Sequence, residues 1–182
     1  SHFVIVDSDG DVVSMTTTVE SIFGSHRMAG GFLLNNQLTD FSRDPRDAEG
    51  RLVPNAPDGG KRPRSSMSPT IVFDADGHFE LATGSPGGSS IIGYVAKSLV
   101  GMLDWELTPQ DAVALPNVVA RGDTVRIEDG MPADVLEGLR ELGFTLDANR
   151  GENSGLHAVR RLEDGSLIGG ADPRREGVAL EP

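Results

Sequence analysis

Strand-like apolar runs in this chain meet at Asp-Gly pairs. Residues 3–7 and 11–19 flank Asp9-Gly10, residues 70–74 and 78–83 flank Asp76-Gly77, and residues 156–163 and 166–170 flank Asp164-Gly165. Each arrangement predicts a β-hairpin, because Asp-Gly accepts the positive φ that a tight turn requires. Several hairpins predict antiparallel sheet. Helical spacing is confined to three segments. Residues 89–105 carry Ile92, Val95, Ala96, Leu99, Val100 and Leu103 on a helical period, with Ser89 or Ser90 as N-cap. Thr108-Pro109-Gln110-Asp111 reads as an N-cap, a first-turn Pro and an acidic third residue, in a short helix that stops near Leu115, before Pro116. Residues 132–142 place Val135, Leu139 and Leu142 on one face, with Gly143 as C-cap, between strands at 125–128 and 144–146. Residues 43–64 show no period and are rich in Asp, Pro, Gly and Arg, which predicts a long exposed loop. Loops of that length are uncommon unless they cover a site. Hairpins combined with amphipathic helices predict a layered α+β domain spanning residues 1–182.

Composition narrows the function without naming it. At 182 residues, 37% hydrophobic and 24% charged, the chain is long enough for one real core. A formal net charge of −12 argues against nucleic acid and anionic membrane surfaces as partners. No apolar run approaches the roughly 18 residues of a membrane span. Cysteine is absent, which excludes disulfides and thiolate chemistry. The first residue is Ser1, directly before a strand pattern, and predicts release from a longer precursor.

Chemistry is concentrated in a few segments. In Gly84-Ser85-Pro86-Gly87-Gly88-Ser89, two adjacent glycines between a strand and a helix offer bare backbone N–H groups to an anion or oxyanion. Asp7-Ser8-Asp9-Gly10-Asp11 lacks the spacing and later Glu of a calcium loop and reads as a turn. His2, His26, His78 and His157 show no metal-ligand spacing. No metal or cofactor is expected.

Six segments in order resemble the small subunit of γ-glutamyltranspeptidases, a family of N-terminal nucleophile hydrolases. They are Ser1-His2-Phe3, Thr16-Thr17-Thr18-Val19-Glu20, the run from Leu33 through Gln37 and Asp40 to Ser42, the run from Lys61 through Ser65 and Ser66 to Thr70, Thr83-Gly84-Ser85-Pro86-Gly87-Gly88, and Ala171-Asp172-Pro173-Arg174. The resemblance implies a four-layer helix–sheet–sheet–helix (αββα) sandwich, completed by a large subunit cut from the same precursor in an obligate heterodimer. It implies γ-glutamyl acyl transfer or hydrolysis on glutathione-type donors, through an ester on an N-terminal Thr whose own amine is the base. The family opens Thr-(Ser or Thr)-His-aromatic, so that Thr is expected immediately before Ser1. A one-residue shift, with Ser1 as nucleophile, would turn every side chain of the first strand to the other face.

Carried over residue by residue, the resemblance makes Thr18 the hydroxyl that contacts the nucleophile, and Gly87 and Gly88 the oxyanion-hole donors. Glu20, Gln37 and Asp40 would hold the substrate α-ammonium, and Ser65 and Ser66 its α-carboxylate. Glu20 stands where many members have Asn, so two acids would surround one cation. Residues 43–60 contain no aromatic residue where some members carry a lid Tyr, which implies a pocket more open to water. A glutaryl-type β-lactam side-chain acylase of the same fold is the alternative, as is a non-catalytic subunit without the nucleophile. The resemblance favours a periplasmic or secreted location over a cytoplasmic one, which the residues themselves do not encode.

Overall fold

All three Asp-Gly pairs turn the chain back on itself, with Gly10, Gly77 and Gly165 at φ of +87°, +85° and +85°. The first turn joins β1 (His2–Val6) to β2 (Val12–Thr16). Two short strands missed in the sequence, β3 (Met28–Ala29) and β4 (Phe32–Leu33), flank Gly30-Gly31, both at positive φ. The second Asp-Gly turn joins β5 (Thr70–Phe73) to β6 (Phe79–Gly84). Helices α1 (Ile91–Leu103) and α2 (Pro109–Ala114) follow. Next come β7 (Val118–Arg121), β8 (Thr124–Ile127), α3 (Ala133–Glu141) and β9 (Thr145–Ala148). The third Asp-Gly turn joins β10 (His157–Arg161) to β11 (Leu167–Ala171). This computed structural model describes residues 1–148 and 153–180. They divide into two compact units, Ser1–Thr16 with Met67–Pro182, and Thr17–Ser66.

In the larger unit β5, β6, β10 and β11 form an antiparallel sheet in the order β11-β10-β6-β5. Its faces are read from alternate residues of β6. Leu81 joins the buried cluster of Ile91, Tyr94, Val95, Met102, Ala112 and Val113, and Thr83 Oγ1 lies 3.3 Å from Ser98 Oγ of α1. That face carries the helices. Gly84 points the other way, and a Cβ there would collide with the His2 ring. Ser14 Oγ of β2 donates to the Thr83 carbonyl at 3.2 Å. The β1–β2 hairpin therefore covers the second face, giving helix, sheet and hairpin layers within one unit. Gly170 of β11 allows α2 to sit on the sheet: a Cβ would lie 2.5 Å from the Pro109 carbonyl carbon.

Helix boundaries differ from the sequence pattern where capping decides them. Thr108 caps α2 as expected, its Oγ1 accepting from the Asp111 N–H. Ser90 holds the N-cap position of α1, one of the two serines expected there, but its side chain makes no capping hydrogen bond; a 3₁₀ turn over Gly88–Ser90 leads into the helix, and Ser90 already has helical φ and ψ. The β7-β8-β9 sheet is mixed: β8 and β9 pair in parallel, with α3 as the crossover between them. A strand, helix and strand with short links can pair this way, whereas two strands without the helix could not.

The smaller unit is mostly irregular. Phe41 and Ala56 are its buried hydrophobic side chains. Within residues 43–64, a bridge between Arg46 and Leu52 closes a small turn, in which the Asp47 N–H donates to the Arg51 carbonyl at 2.9 Å.

Candidate active site

The Gly-rich turn stands beside the start of β1. His157 of β10 pairs with Gly84 of β6, and His2 fills the space where a Gly84 side chain would be. Ser1, His2, Pro86, Gly155, His157 and Arg175 line one open groove of ≈ 1340 Å³. His2 is 5% exposed. Its Nδ1 lies 2.9 Å from Thr16 Oγ1 and its Nε2 3.5 Å from Ser14 Oγ. Burial, and then the neighbouring His157, push the His2 pKa down to about 4, so the ring is neutral at pH 7.

Local sterics shape the glycine doublet. Gly87 has φ +138° and Gly88 φ +57°. A Cβ at Gly87 would sit 2.5 Å from Cε2 of the buried Tyr94. Tyr94 of α1 is thus the floor under this turn. Among the described residues neither glycine N–H donates to another group of the chain. Ser85 is fully occupied below them: its Oγ donates to the Pro86 carbonyl at 2.7 Å and accepts from the Gly155 N–H at 3.1 Å.

The smaller unit holds six other expected site residues. Thr18 lies past the end of β2, and its Oγ1 accepts from the Glu20 N–H at 2.8 Å. Glu20 has φ +73°. Its Oε2 accepts from Ser21 Oγ at 2.5 Å and Asn36 Nδ2 at 2.6 Å. These hydrogen bonds, Ser21 first, hold the carboxyl below the usual carboxylate range. Oε1 takes no partner among the described residues. Gln37 and Asp40 occupy one 3₁₀ turn, where the Gln37 side-chain amide donates to Asp40 Oδ2. Asn35 Oδ1 accepts from the Gln37 N–H at 2.9 Å, and Thr39 Oγ1 lies 3.5 Å from Glu20 Oε2. Asn36 ties Glu20 to the segment bearing Gln37 and Asp40. Ser65 and Ser66 close this unit, and both make interactions of their own.

Sequence reasoning also left a buried network unassigned. Asp172 is 1% exposed; its Oδ2 accepts from Ser154 Oγ at 2.5 Å and the Leu156 N–H at 3.1 Å. Arg174 pairs with Glu128 through Nε at 2.5 Å and Nη2 at 2.8 Å, and with Asp172 through Nη1 at 2.9 Å. It also donates to the carbonyls of Val113 and Leu115 at the end of α2. The sequence signal was only the Ala171-Asp172-Pro173-Arg174 run. Asp74, Asp76 and His78 bring ligand atoms within 4.8 Å of one another, but Asp74 Oδ1 accepts from the Asp76 and His78 N–H groups, which is turn chemistry. No helix among the described residues is long and apolar enough to cross a membrane.

The layered α+β architecture with antiparallel sheets is that of the N-terminal nucleophile hydrolase sandwich. A solved acivicin-inhibited γ-glutamyltranspeptidase superposes with a TM-score of 0.84 at 36% identity, over 97% of this chain and 99% of that one. The family model described as gamma-glutamyltranspeptidase matches residues 1–181, and the chain belongs to that family. The glutathione hydrolase proenzyme of Bacillus subtilis (strain 168) is 36% identical over 99% of the chain, which spans 30% of that relative. The cephalosporin acylase from Bacillus halodurans superposes with a TM-score of 0.85 at 25% identity, over all of this chain and 34% of that one.

Proposed function

We propose that this chain is the small subunit of a γ-glutamyl acyltransferase or glutathione hydrolase, paired with a large subunit from the same precursor. The observation that carries the reading is the packing of the Gly84–Gly88 turn beside the first residues of β1, where His2 occupies the space a Gly84 side chain would need. A Thr freed immediately before Ser1 would start its strand next to two backbone amides, the arrangement an acyl-transfer site requires.

In this scheme the Thr hydroxyl attacks the γ-carbonyl carbon, and its proton passes to the Thr α-amine. The N–H groups of Gly87 and Gly88 hold the oxyanion. Collapse breaks the amide C–N bond, and the departing amine takes the proton. Water or an amine acceptor then cleaves the ester. Thr18 orients the nucleophile, Glu20, Gln37 and Asp40 take the α-ammonium, and Ser65 and Ser66 take the α-carboxylate. The partnerless Oε1 of Glu20 supports an ammonium contact there. The lack of an aromatic residue at 43–60 favours water as acceptor.

Trapping the processed protein with a γ-glutamyl analogue tests the scheme. Mass spectrometry should find the adduct on the small chain, and an unmodified small chain rejects the reading. The likeness to a cephalosporin acylase keeps a glutaryl donor as the rival. A faster rate on a glutaryl anilide than on its γ-glutamyl counterpart would favour that rival, because a glutaryl group offers no ammonium to Glu20 and Asp40.

A further inference from the structure

Asn55 sits in the loop between the two substrate-facing segments and touches both of their backbones. Its Nδ2 donates to the Asp40 carbonyl at 2.8 Å. Its Oδ1 accepts from the Arg64 N–H at 3.0 Å, one residue before Ser65. Its own carbonyl accepts from the Ser42 N–H at 3.0 Å. The amide orientation is determined by these partners: turned over, its NH₂ would face an N–H and its oxygen a carbonyl. Asn55 is half-buried, and the next residue, Ala56, is one of the buried side chains of this unit. Lys61 Nζ donates to the Ala56 carbonyl at 2.9 Å and bonds the Pro54 carbonyl as well, so the loop is pinned on either side of Asn55.

We propose that Asn55 is a positioning residue for donor recognition, fixing Asp40 relative to Ser65 and Ser66 so that the ammonium and carboxylate of one γ-glutamyl group are met together. This rests on the functional reading above and adds to it a residue outside the ligand set. The α-ammonium and α-carboxylate of the donor branch from a single carbon. Their receptors here come from segments 25 residues apart in sequence, Asp40 and Ser65. Something must hold the two segments in register, and one side chain hydrogen-bonded to both backbones does so directly. Asn supplies the donor and the acceptor at once; Asp and Ala do not.

The test uses the full-length processed protein with Asn55→Ala and Asn55→Asp, the second keeping the side-chain shape and losing the donor toward Asp40. Wild-type turnover of a γ-glutamyl anilide belongs to the functional reading; this inference is read from each variant's ratio to wild type. KM for the γ-glutamyl anilide should rise about tenfold in both variants, with kcat nearly unchanged. A butyryl anilide, which lacks both the amino and the carboxyl group, should lose nothing. An unchanged KM in Asn55→Asp overturns the inference, and so does an equal loss on both anilides.

Discussion

Asp172 and Glu20 each collect several hydrogen bonds, but one is 1% exposed and the other stands in solvent. Asp172 is closed on every side by Ser154, Leu156 and Arg174. Burial opposes its charge, yet those hydrogen bonds outweigh burial and hold its pKa below the usual range. Glu20 is held through one oxygen, and the other is left over. A carboxylate with all its acceptor capacity committed inside the fold serves stability. A carboxylate steered by neighbours but incompletely used is fit for a ligand.

The sharpest way to break this contrast is to remove Arg174. Arg174→Met would leave Asp172 and Glu128 without the guanidinium that bonds both, with only the nearby Lys97 ammonium acting on them, and poorly compensated buried charge is costly. We expect a loss of about 3–5 kcal/mol in denaturant unfolding. A loss no larger than that of an ordinary surface substitution would show the network to be ornamental.

A buried titrating group in the same unit provides the next test. The His2 pKa is about 4 in the folded chain against 6.5 ordinarily, so between those values the unfolded chain binds the proton and the folded chain does not. Stability should be constant with respect to His2 above pH 6.5 and fall as pH drops from 6.5 to 4, by about 3 kcal/mol in all. His2→Gln should flatten that part of a stability–pH curve. A slope that persists in the variant would assign the acid sensitivity to other groups.

How much of this was legible depended on whether the signal was local. Asp9-Gly10, Asp76-Gly77 and Asp164-Gly165 each specify a turn within two residues, and all three hairpins form. Thr108-Pro109 likewise caps α2. Gly30-Gly31 carried the same kind of turn signal, but the two-residue strands around it were too short to show a period. The parallel pairing of β8 with β9 depends on where α3 packs, which no residue of either strand encodes. The candidate site divides in the same manner. Gly87, Glu20 and Asp40 belong to motifs that can be matched to a family. Asn36 and Asn55 act through hydrogen bonds to residues 16 and 15 positions away, so only the fold reveals them. The Arg174–Glu128 pair spans 46 positions, and Glu128 had appeared only as the end of a strand.

The mildest test falls on the exposed member of the pair. Glu20→Gln keeps the side-chain length and removes the charge. Because Glu20 is solvent-exposed and outside the cores of both units, the thermal midpoint should not move. KM for a γ-glutamyl anilide should rise about tenfold with kcat little changed, since an ammonium loses one of its two acids. The same rise should appear in the wild type only at strongly acid pH, because Ser21 and Asn36 hold the Glu20 carboxyl below the ordinary carboxylate range. If KM stays at the wild-type value, Glu20 serves only its own turn, and the leftover oxygen distinguishes it from Asp172 in geometry but not in function.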